Sequence, residues 1–262
     1  MKIYNDFSAK EMDELRSRVR EAKDPDELLA VFPSLKLKQG YRLVTAHGRG
    51  LHEGSLSIVW AIPVSNYPPK IEECKLINIF KLSRPFDIWS SCFDGMVTKW
   101  EDEENGEGPT YEILKPPGAL DDLMDAIEGD QTPWSYLSAS IFAREAAEFQ
   151  PRWHAQIWRD YFILNDNPFN YPTGYFDGFD PPLQSNENTC AFGLKNFKTK
   201  PMPLTWNPAV IFNDKVITVR FYTFKFMGME EIHCFTDTYG PEGYKFNFNY
   251  EIIWRGRKGA VR

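Results

Sequence analysis

Large apolar and polar residues alternate along "YKFNFNYEIIW", residues 244–254. Tyr244, Phe246, Phe248, Tyr250, Ile252 and Trp254 take every second position, and Lys245, Asn247, Asn249 and Glu251 fill most of the gaps. A period of two is the mark of a strand with one covered face. Upstream, "WNPAVIF", "VITVRFYTFKF" and "EEIHCFTD" are further strand-type runs, separated by "NDK", "MGM" and "TYGPEG". Connections this short join antiparallel neighbours, so 204–255 is predicted to be a β-meander. Burying one large apolar side chain contributes about 1.5–3 kcal/mol. Six on one strand rival the net stability of a whole domain, about 5–15 kcal/mol. The ring-bearing face is therefore expected to point inward.

Helical spacing governs the first 34 residues. In "FSAKEM" Ser8 and Glu11 form a capping box, and Phe7 and Met12 flank it as a hydrophobic staple. Met12, Leu15, Val19 and Ala22 follow on one face. A second helix starts at "DPDELL", with Asp24 as cap and Pro25 in the first turn, and stops ahead of Pro33. Strand runs then take over: "YRLVTAH" and "SLSIVWAIPV" make a hairpin across "GRGLHEG". "CKLINIFKL", "DIWSSCFDGMVTKW" (bulged at Gly95) and "TYEIL" extend the sheet.

Two helices are predicted over 119–150. "ALDDLMDAIEG" places Leu120, Leu123, Met124 and Ile127 on one face, with Gly129 ending it. "TPWSYLSASIFAREAAEF" has Thr132 as cap and Pro133 at the first helical position. Glu145 falls inside its apolar stripe and is expected in a last turn tilted toward water. "RWHAQIWRDYFIL" reads as a strand. Residues 165–203, rich in Pro, Gly, Asn and rings, read as a long ordered loop that serves as packing or as a lid.

The resulting fold class is a single α+β domain over 1–262. A long-stranded, mostly antiparallel meander sheet curls into a barrel or half-barrel. The N-terminal helical pair and the central two-helix insertion cover it. The aromatic share, 15%, strengthens this β-rich reading.

Charge and composition narrow function. A net charge of −7 argues against nucleic acid as a partner, the tail "RGRKGAVR" reading as a solvated end. No run approaches the ~20 apolar residues of a membrane span, and the start has no apolar leader core, so a soluble, cytoplasmic protein is expected. Cys74, Cys92, Cys190 and Cys234 form no C-x-x-C pair. No metal motif, phosphate loop or nucleophile elbow occurs, and no cofactor or metal is expected.

Chemistry must come from four histidines. His47 and His52 lie in the hairpin connection and read as exposed. His154 shares an extended face with Gln156, Trp158 and Asp160, a mixture suited to a ligand pocket. His233 shares a face with Glu231, Phe235 and Asp237. Arg220 and Tyr222 on one neighbouring strand, and Asn247, Asn249 and Glu251 on the other, are expected alongside. That array is either an acid–base site, with His233 carrying the proton and Asp237 orienting it, or a solvated face of paired charges. The alternation favours the solvated face.

The function expected from these features is binding of a small apolar or planar molecule, with Trp153, Trp158, Tyr222, Tyr244 and Tyr250 nearest the ligand. The alternatives are a cofactor-independent isomerase, cyclase or hydrolase using His154 with Asp160 or His233 with Asp237, and an oligomer-forming structural subunit.

Overall fold

The computed structural model describes residues 1–49, 57–78, 112–149, 158, 161–167, 203–225 and 229–258. Among them are three α-helices and twelve strands: an α+β fold whose strand pairings are antiparallel.

The chain begins with a short strand, β1 (Lys2–Tyr4), which the helical reading of the N-terminus misses. Helix α1 (Ala9–Glu21) follows, and its capping box is formed. Glu11 Oε2 accepts from Ser8 N at 3.0 Å, and Ser8 Oγ accepts from Glu11 N at 3.2 Å. Helix α2 (Pro25–Ala30) has a related device, its return bond reaching one residue ahead of the cap. Asp24 Oδ1 accepts from Glu27 N at 2.8 Å, while Glu27 Oε2 accepts from Lys23 N at 2.7 Å. Asp24→Ala is expected to cost about 1 kcal/mol, read as a lower urea midpoint with an unchanged slope.

The chain divides into two compact units. One comprises Met1–Arg16, Arg159–Pro241 and Phe246–Arg262, and the other Ser17–Trp158 and Glu242–Lys245.

The second unit holds β2 (Leu35–Leu37), β3 (Tyr41–Arg49), β4 (Ser57–Pro63), β5 (Lys75–Asn78), β6 (Glu112–Lys115), β7 (Ile127–Gly129) and helix α3 (Pro133–Ala147). β3 and β4 form the expected hairpin, and β6 returns between β3 and β5. The proposed strand over 87–100 lies outside the described residues. Ile58 to Ile62 on β4 are fully buried, as are Leu137, Ala139 and Phe142 on α3. Phe142 meets Phe32 edge-on at 5.6 Å. Thr132 caps α3 through Ser135 N, as the sequence predicts.

The first helix of the insertion does not form. Leu123–Ala126 is a single 3₁₀ turn, and β7 pairs with β2 through Leu35↔Gly129 and Leu37↔Ile127. Asp122 caps the turn through Met124 N at 2.9 Å. The apolar residues at helical spacing are buried all the same, because a short turn followed by a paired strand covers Leu123, Met124, Ala126 and Ile127 equally well.

The first unit is built on one sheet, ordered β1–β9–β10–β11–β12, with β8 on β10. Its strands are β8 (Tyr161–Leu164), β9 (Ala209–Phe212), β10 (Ile217–Lys225), β11 (Met229–Tyr239) and β12 (Phe246–Lys258). β9 pairs with Ile217–Arg220 and β8 with Tyr222–Lys225, so the two lie end to end along one edge of β10. The predicted meander is present. No closed barrel is found among the described residues. The tail is ordered farther than a solvated end would be, since Lys258 pairs with Met229.

β12 departs from strict alternation. Ile252 pairs with His233, but Trp254 pairs with Ile232, leaving Ile253 as an inserted bulge residue. Phe246, Phe248, Tyr250 and Ile252 share one face and are half-buried. Trp254 is turned to the other face, in a core with Phe162, Leu164, Trp206, Tyr222, Phe224, Ile232, Cys234 and Ile253.

Candidate functional site

The rungs of the first unit's sheet decide which side chains share a surface. Tyr161, Lys225 and Glu231 form one row across β8, β10 and β11. Ile163, Thr223, His233 and Ile252 form the next, followed by Phe221, Phe235 and Tyr250, then Val219, Asp237 and Phe248. Directly paired residues lie on the same face. His233 therefore stands on the face of the β12 rings, and Arg220, Tyr222, Asn247, Asn249 and Glu251 belong to the opposite face. The solvated-face reading of Glu231, His233 and Asp237 is overturned: all three are buried, with His233 and Asp237 fully so. The sequence shows which residues of one strand share a face, but only the register joins faces between strands.

Glu231 Oε2 lies 3.0 Å from His233 Nε2. A carboxylate accepts, so Nε2 is the donor in this contact. Lys225 is buried as Glu231's direct cross-strand neighbour. Asp237 stands four residues farther along the strand, about 13 Å at the usual rise per residue, with Phe235 between. The carboxylate that orients His233 is thus Glu231 in place of the expected Asp237.

Rings surround this pair. Tyr161 meets His233 edge-on at 5.0 Å; Tyr250 stacks on it at 5.5 Å and Phe235 at 6.0 Å. Phe221 stacks on Phe235 at 5.2 Å. The Lys225 ammonium is 5.9 Å from the Tyr161 ring centre.

Thr223, beside His233 on the central strand, is fully buried, and its hydroxyl has no hydrogen-bond partner among the described residues. An unmet buried hydroxyl costs about 1–3 kcal/mol. Neither Thr223 nor Lys225 was singled out from the sequence. Their signal was the polar positions 223 and 225 in the run "FYTFK", legible only once the register is known.

The other expected site residues are placed differently. Tyr222 is on the opposite face from Tyr250, its ring 5.4 Å from Trp206. Burial, then the neighbouring Cys234, pushes its phenol up to about 12. Ionising it inside the fold is harder than in the unfolded chain, where a tyrosine titrates near about 10. The fold's preference for neutral Tyr222 is fully present below that pH and is lost as pH rises toward 12. Absorbance titration at 295 nm is expected to show a late tyrosine that Tyr222→Phe removes, with alkaline unfolding moving to higher pH.

Tyr244 and Trp158 belong to the second unit. The Tyr244 hydroxyl accepts from Gln131 N at 2.8 Å and lies 2.7 Å from Ser135 Oγ, and its ring stacks on Tyr136 at 5.0 Å. Its polar partners are the start of α3. Trp158 sits in a 3₁₀ turn rather than the expected strand. Its backbone N donates to buried Glu148 at 2.7 Å and its indole N to Glu145 at 2.9 Å, so Glu145 is engaged rather than tilted into water. Trp153, His154, Asp160 and His52 lie outside the described residues, as does 168–202 of the long loop.

No group of three or more His, Cys, Asp or Glu side chains among the described residues is placed to hold a metal ion, and no described helix is long and apolar enough to cross a membrane. No protein-family model, curated protein or solved structure matches the chain.

Proposed function

We propose that the protein binds a small, planar, largely apolar molecule on the ring-bearing face of the first unit's sheet, beside the Glu231–His233 pair. The observation that carries this reading is the cluster of Tyr161, Phe235 and Tyr250 around a buried imidazole, with centroid separations of 5.0–6.0 Å. Rings supply flat contact area, and a few buried polar groups fix orientation, the usual division of labour in a small-molecule site. The sheet in this reading curves around its ligand as a half-barrel, and the protein is soluble and cytoplasmic.

A second reading is favoured by the 3.0 Å Glu231–His233 contact. A carboxylate-oriented imidazole is a general acid–base pair, and His233 would move the proton in an isomerase or hydrolase without a cofactor.

Native mass spectrometry of protein from its own host, with thermal shifts across a panel of aromatic compounds, tests the first reading. A retained small molecule, or stabilisation lost in Tyr250→Ala, is expected. Empty protein with no shift across the panel defeats it. His233→Gln separates the second reading: binding kept and turnover lost marks catalysis, while unchanged turnover of a bound compound removes His233 from the chemistry.

A further inference from the structure

We propose that Thr223 anchors the single hydroxyl or carbonyl oxygen of the planar ligand, which makes the preferred class neutral phenolic or ketone-bearing aromatics; this rests on the binding reading above. Thr223 occupies the middle of β10, with Ile163 on one side and His233 on the other, and nothing among the described residues bonds its hydroxyl. Valine has nearly the same shape, is equally suited to a strand, and would bury no polar atom there. A polar atom kept in so enclosed a place calls for a partner that the described residues do not provide.

The surroundings restrict what that partner is. Phe221 and Phe235, paired on one adjoining rung, favour a flat apolar body. Lys225 and Glu231 are direct cross-strand neighbours, so a cation and a carboxylate share the row and neither sign of ligand charge is favoured. A neutral oxygen matches a hydroxyl that both donates and accepts.

The full-length chain should be titrated calorimetrically with 2-naphthol and with naphthalene, which differ by one hydroxyl. Wild type is expected to bind 2-naphthol about tenfold more tightly, the size of one neutral hydrogen bond. Thr223→Val is expected to erase that preference while leaving naphthalene affinity unchanged, and Thr223→Ser to retain it. A preference that survives in Thr223→Val overturns the assignment. So does a Thr223→Val protein with lowered Tm and unaltered naphthol binding, which would make the missing partner a buried water. Binding of both compounds to wild type with equal affinity overturns the Thr223 role alone. If neither compound binds, the Thr223 role and the binding reading fail together.

Discussion

Glu231→Ala is expected to destabilise the protein by about 1.5–3 kcal/mol, the usual worth of a buried hydrogen bond to a charged group. Glu231 is the hydrogen-bond partner of fully buried His233 and the cross-strand neighbour of buried Lys225. Its loss removes the acceptor 3.0 Å from the buried His233 Nε2. Glu231→Gln is expected to cost distinctly less than Glu231→Ala, because the amide oxygen still accepts from Nε2. Guanidinium unfolding of the three proteins supplies the ranking. A loss under about 1 kcal/mol for alanine would be the behaviour of a solvated surface pair, and the buried site would have to be abandoned.

Gly129→Ala is expected to cost about 2–3 kcal/mol, the range of an overpacked site. A Cβ there would lie 2.7 Å from the Ser34 carbonyl oxygen and 2.7 Å from the Tyr244 hydroxyl. In an open position the same exchange gains about 0.4–1 kcal/mol by restricting the unfolded chain, so the collision sets the sign. Calorimetry is expected to show Tm falling by roughly 5–10 °C. Adding Tyr244→Phe should not restore it, since the Ser34 backbone oxygen remains in the way. An unchanged Tm would mean that β7 shifts freely, against its pairing with β2.

Gly129 also shows what a linear reading can and cannot supply. Along the chain its glycine reads as a helix stop, whereas the packing against Ser34 makes it a site of close approach. Caps were legible because they are local: Ser8–Glu11, Asp24–Glu27 and Thr132–Ser135 each close within three residues. The hairpins were legible through their short connections. β1 escaped notice because three residues carry no period, and its partner β9 lies some two hundred positions away. The site itself was half legible. His233 and Glu231 were found on one strand, but Thr223, Lys225 and Tyr161 join them only through the rungs of β8, β10 and β11.

The extra residue at Ile253 gives β12 two allegiances. Ahead of it, the strand's large side chains serve the layer around His233; beyond it, Trp254 serves the layer around Phe224 and Ile232. One chain segment thereby stitches both sides of the sheet without a crossover. Excising Ile253 would restore the strict period of two, leaving the indole opposite Ile232 on its present side and removing only the Ile253 side chain from that core. The bulge is thus what lets Ile252 and Trp254, two positions apart, serve opposite layers.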